Sequence, residues 1–161
     1  MFLTPMVPLE SAGSRSGDGN ARRFHILMVE DDDAHAKIVH YCLNRAASNL
    51  QIDRVSDGEK ALEFVRGEGQ FAGAPRPDVI LLDLNLPRVS GHEVLRQLKS
   101  DEQLRCIPTI ILSTSGSPAD RERAYRNNVN SYLMKPYSLD QFQAMISEVV
   151  YYWSKWNQRA S

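Results

Sequence analysis

Between Phe24 and Trp156 the chain alternates five short apolar runs with five segments of helical periodicity. No other feature constrains the fold as strongly. Strand–helix–strand units close only with the strands parallel and the helices laid against the sheet. The runs are Phe24–Val29, Gln51–Val55, Asp78–Leu82, Thr109–Leu112 and Ser131–Met134. Three of them are rich in Ile, Leu and Val, the composition of strands buried on both faces.

The helices announce where they begin. Ser90 with Glu93, and Ser138 with Gln141, have capping-box spacing. Ser117 followed by Pro118 reads as an N-cap with proline in the first turn. The first helix should start near Ala34 and the second just after Asp57-Gly58. The stretch Arg66–Pro77, with three glycines and two prolines, reads as a surface loop. We therefore expect an α/β, doubly wound, five-stranded parallel sheet of strand order 2-1-3-4-5.

Length and charge narrow the field. A chain of 161 residues fits one domain with tails. Residues 1–22, rich in Ser and Gly after Leu9, are expected to be a disordered tail; residues 23–157 form the domain, and 158–161 a short C-terminal tail. A net charge of −1 gives no reason to expect nucleic-acid binding. No output domain is expected after the last helix. No run reaches the roughly 18–20 apolar residues of a membrane span. Cys42 and Cys106 lie far apart and form no CxxC pair, so both are expected as buried thiols of a cytoplasmic protein.

In an open parallel sheet, ligands bind beyond the carboxyl ends of the strands. Glu30, Asp31, Asp32 and Asp33 follow the first run, Asp83 and Asn85 the third, Ser113, Thr114 and Ser115 the fourth, and Lys135 and Pro136 the fifth. The order 2-1-3-4-5 makes the first and third strands neighbours, so Glu30, Asp31 and Asp83 should share a pocket. Three carboxylates repel unless a cation lies among them. Few oxygen ligands suit Mg²⁺, and Lys135 and Ser113 add an ammonium and a hydroxyl. Such a set stabilises a phosphoryl group in transfer. Asp32 and Asp33 read instead as charges at the start of a helix. A Mg²⁺ phosphohydrolase of the haloacid dehalogenase type is the rival, but it needs a second aspartate where Asn85 stands.

The motifs "ILMVEDD", "VILLDLNLP", "TIILSTS" and "YLMKPY", in this order, resemble the receiver domain of two-component response regulators, CheY-like proteins. The resemblance spans about residues 23–155. It implies that Asp83 is the phosphoacceptor and that Asp31, Asp83 and the backbone carbonyl of Asn85 bind Mg²⁺, with Glu30 acting through water. It implies that Lys135 and Ser113 stabilise the phosphoryl group, that Ser113 and Tyr132 form the switch, and that the Lys135–Pro136 bond is cis. The protein would be a switch assisting its own phosphorylation, not an enzyme. "LLDLNLP" and the long loop resemble stand-alone regulators paired with phytochrome-type histidine kinases. Thr114, where the family has a small residue, should narrow access to Asp83.

The last helix, expected from Ser138 to Trp156, would be about 28 Å long and overhang strands of about 17–20 Å. Leu139, Phe142, Ile146, Val149, Trp153 and Trp156 recur at seam spacing. The first three should cover the sheet. Val149, Trp153 and Trp156 are expected to form a homodimer interface, widened by Tyr151 and Tyr152, with the fourth helix and fifth strand beside it.

Overall fold

The computed structural model describes residues 22–160, so the expected tail at residues 1–22 lies, but for Arg22, outside the described residues. The strands are β1 (Phe24–Val29), β2 (Leu50–Val55), β3 (Val79–Leu82), β4 (Thr109–Ser113) and β5 (Ser131–Met134). The helices are α1 (Asp33–Ala46), α2 (Gly58–Arg66), α3 (Gly91–Ser100), α4 (Pro118–Arg126) and α5 (Leu139–Tyr151). All strands are parallel, in the order β2-β1-β3-β4-β5. The expected sheet is the observed one.

Strand alternation splits the core in two. Ile26, Met28, Val79, Leu81, Ile110 and Leu112 face α1 and α5, where they meet Val39, Leu43, Phe142, Ile146 and Val150. Leu27, Val29, Ile80, Leu82 and Ile111 face the other side and meet Leu62, Phe64, Val94, Leu95 and Leu98. Burying each large apolar side chain contributes about 1.5–3 kcal/mol. The two layers fix the heights of β1, β3 and β4 against one another, and so fix what lies at their ends.

The caps fall where the sequence places them, with one difference. Ser90, Ser117 and Ser138 accept hydrogen bonds from the N–H groups of Glu93, Asp120 and Gln141. The reciprocal half of the box is missing at Gln141 and also at Glu93. Its carboxylate instead takes Arg96 at 2.6 and 2.8 Å and Gln97 at 2.8 Å. Arg66–Pro77 is more than a surface loop: Gly67 ends α2 in the left-handed region at φ 65°, a 3₁₀ turn follows at Gly69–Phe71, and Phe71 packs on Phe64 at 5.2 Å between centroids.

Three expectations need correction. Cys106 is exposed, unlike buried Cys42, because it lies in the α3–β4 turn and it is its neighbour Ile107 that enters the core. No cis peptide bond occurs among the described residues, so Lys135–Pro136 is trans; a trans bond already lets the Lys135 ammonium reach its carboxylate partners. The last helix is not one α-helix to Trp156. It ends at Tyr151 and widens into a π-helical turn, Tyr152–Trp156, in which the Asn157 N–H donates to the Tyr152 carbonyl at 2.9 Å.

Candidate functional site

Strand register builds the site. Val29 of β1 stands opposite Leu82 of β3, and the Asp83 N–H donates to the Val29 carbonyl at 3.1 Å. The next residues, Glu30 and Asp31 on one chain and Asp83 on the other, therefore emerge side by side. Leu82 is also level with Ile111 of β4, which ends at Ser113; Ser113 is level with Met134 of β5, and the Lys135 N–H donates to the Ser113 carbonyl at 2.8 Å. Four strand ends thus converge on one rim.

Carboxylate oxygens of Glu30, Asp31 and Asp83 lie within 4.8 Å of one another. Glu30 and Asp83 are buried and Asp31 is exposed. The Lys135 ammonium sits between the buried pair, 2.6 Å from Glu30 Oε2 and 3.2 Å from Asp83 Oδ2. Burial pushes the Glu30 carboxyl above the usual range, against the pull of the Lys135 hydrogen bond and charge; the Asp83 charge adds to the rise. One ammonium among three carboxylates leaves negative charge over, and an all-oxygen donor set of this kind suits a hard divalent cation.

The surroundings hold these groups in place. Arg54, near the end of β2, donates to the carbonyls of Glu30 (3.0 Å) and Asp31 (3.3 Å) and pairs with Asp33 at 2.8 Å. Asp32 accepts the His35 N–H at 2.8 Å and caps α1, which holds its carboxyl below the ordinary range. Both neighbours of the pocket therefore serve the helix start. The Asn85 N–H donates to Asp83 Oδ1 at 3.1 Å. Behind Asp83, a Cβ on Gly91 would stand 2.2 Å from the Asp83 carbonyl oxygen, so only glycine fits this approach.

The expected switch residues meet at one loop. The Ser113 hydroxyl is fully buried and accepts the Ser115 N–H at 3.1 Å. The Tyr132 hydroxyl donates to the Ser115 carbonyl at 2.9 Å. Thr114 is exposed and lines an apolar cleft of about 270 Å³ with His35, Ile38, Met134, Pro136 and Leu139. The sequence assigns no role to Ser115 itself, its partner Asp120, or Arg54. Arg54 had a signal: a basic residue one position before the end of the second apolar run.

At the far end of α5 the aromatic residues divide. Trp153 and Val149 are partly buried against the α1/α5 core, whereas Tyr151, Tyr152 and Trp156 are exposed. The π turn breaks the seam spacing, so Val149, Trp153 and Trp156 do not form one stripe. Leu139 is 52% exposed and does not cover the sheet; Val150 does.

Comparison with known proteins agrees with this geometry. Residues 26–147 match the family described as response regulator receiver domain. The chain belongs to that family. Among curated relatives, the probable methanogenesis regulatory protein FilR2 of Methanothrix harundinacea is 45% identical over 84% of this chain and 86% of its own. Response regulator Rcp1 of Synechocystis is 35% identical over 80% and 87%, and its Mn²⁺-bound crystal structure superposes with a TM-score of 0.80 at 33% identity, covering 85% of this chain and 99% of that one. The phosphorylated cyanobacterial phytochrome response regulator RcpA superposes with a TM-score of 0.83 at 36% identity, covering 87% and 100%. In this receiver domain the acidic pocket is of the kind at which the family takes a divalent cation.

Proposed function

We propose that Asp83 accepts a phosphoryl group from the phosphohistidine of a sensor histidine kinase, with Mg²⁺ required. The observation that carries this reading is the triad of carboxylates with Lys135 bridging Glu30 and Asp83. An Asp83 carboxylate oxygen forms the new O–P bond while the N–P bond of the donor breaks and the imidazole keeps the electron pair. Mg²⁺, held by Asp31, Asp83 and the Asn85 carbonyl with Glu30 through water, would supply charge neutralisation. Lys135 and the Ser113 hydroxyl act on the equatorial phosphoryl oxygens. The domain assists its own phosphorylation and slow hydrolysis and turns over no other substrate.

The donor is itself a protein, and the apolar cleft at Ile38, Pro136 and Leu139, beside Lys135, offers it a contact surface. Relatedness to the phytochrome response regulator RcpA supports a phytochrome-type kinase as the donor. The 45% identity to FilR2 favours a second reading, in which the same chemistry serves a different sensor. Residues 23–157 act as one receiver unit that signals through protein contacts. The exposed Tyr151, Tyr152 and Trp156, with Val149 and Trp153 behind them, support a homodimer through the end of the last helix.

The test is the mass of the intact protein after incubation with Mg²⁺ and a small phosphodonor. A gain of one phosphoryl group, lost with chelator and in Asp83→Asn, supports the reading. No gain in the wild type, or a gain that survives the substitution, refutes it.

A further inference from the structure

Ser115 joins the two switch residues: its N–H holds the Ser113 hydroxyl and its carbonyl holds the Tyr132 hydroxyl. Its own side chain is anchored elsewhere. The Ser115 hydroxyl donates to Asp120 Oδ2 at 2.6 Å and accepts the Ser117 N–H at 3.3 Å. The other oxygen of Asp120 lies 3.1 Å from Nε2 of His92 on α3. The His92 side chain is 8% exposed, and its Nδ1 is buried without a partner. Facing an acceptor-only carboxylate, Nε2 donates its N–H to Asp120. His92 follows Gly91, whose N–H donates to the Leu84 carbonyl and whose α-carbon abuts the Asp83 backbone.

We propose that His92, through Asp120 and Ser115, is a positioning residue that ties the switch loop to the phosphoacceptor segment and presents the Ser113 hydroxyl for phosphoryl transfer. The inference rests on the reading of Asp83 given above. Because the Ser113 oxygen already accepts from Ser115, its own proton is left to be donated to an incoming phosphoryl oxygen. A fixed donor costs no reorganisation during the reaction, whereas a drifting one does. The hydroxyl and imidazole hydrogen bonds also hold the Asp120 carboxyl below its ordinary range, so this anchor stays charged at neutral pH.

Ser115→Ala is the sharpest variant, because it keeps the backbone groups that hold Ser113 and Tyr132 and removes only the anchor. We expect Ser115→Ala and His92→Leu each to lower the maximal rate of phosphoryl uptake from a small phosphodonor about tenfold. Half-saturation by Mg²⁺ should stay near wild type, since Glu30, Asp31 and Asp83 are untouched. His92→Gln, whose amide still donates, should recover most of the rate. Unchanged rates in both variants, or losses that track melting temperature and are not recovered by His92→Gln, overturn the latch. A wild type that takes up no phosphoryl group overturns the Asp83 reading and the latch with it, a result distinct from either.

Discussion

Lys135 is the residue on which the metal-free pocket depends. It neutralises Glu30 and Asp83, both buried, at 2.6 and 3.2 Å. Removing one partner of a buried pair leaves an uncompensated charge, so Lys135→Met should cost about 3 kcal/mol in urea unfolding without divalent cations. Saturating Mg²⁺ should recover part of that loss. Glu30 gives the pH dependence. Its folded carboxyl is raised above 4.5, so the folded chain holds that proton more tightly than the unfolded one. Its contribution to stability is present below pH 4.5 and is lost as pH rises through the raised value. A divalent cation would bind the ionised form, so the melting-temperature gain on adding Mg²⁺ should grow with pH across this window. A gain independent of pH would contradict the assignment of Glu30 to the cation pocket. Asp83, Lys135 and Ser113 were legible in the sequence because each sits at the end of an apolar run. Ser115, Asp120 and His92 were not, because their link crosses from α3 to the β4–α4 loop and no local pattern records it.

Among the five α-helices, α4 buries least: Ala124 is its one buried residue. A helix with so little burial opens at low cost, which suits the surface that would respond to the proposed switch at Ser113 and Tyr132. Amide exchange should be faster in α4 than in α3, which buries Val94, Leu95 and Leu98. Equal protection would count against α4 as the moving part. Helix α3 carries its own electrostatic signature. The Arg96 and Gln97 hydrogen bonds hold the Glu93 carboxyl down at about 2. A depressed carboxylate adds stability above pH 4.5 that is lost as pH falls towards 2, so Glu93→Gln should flatten that acid limb of the unfolding curve. Strand limits and helix starts were readable to within a residue, since apolar alternation and cap chemistry are local. The end of α5 was not: nothing in Tyr151–Trp156 distinguishes a continued α-helix from the wider turn that forms. Phe71 was hidden for the complementary reason, as a lone aromatic among glycines whose partner, Phe64, lies on the preceding helix.

For the whole molecule, alternation implies a parallel doubly wound sheet, and the site follows from its order, β2-β1-β3-β4-β5. Two tests belong here. Gly91→Ala should displace the Asp83–Leu84 backbone, since a Cβ would stand 2.2 Å from the Asp83 carbonyl; phosphoryl uptake should fall well below wild type while circular dichroism keeps the α/β signature. If the aromatic end of the last helix joins two copies, sedimentation at tens of micromolar should report a dimer that Trp156→Glu converts to monomer. A wild-type monomer would remove the dimer from the account and leave the chemistry intact.

In the proposed transfer Asp83 becomes an acyl phosphate. Borohydride reduces such a mixed anhydride to the alcohol, marking the residue that carried the phosphoryl group. After treatment with Mg²⁺ and a phosphodonor, peptide mass spectrometry should find homoserine at position 83 and at no other aspartate. Unreduced Asp83, or the mark at another residue, would contradict the account.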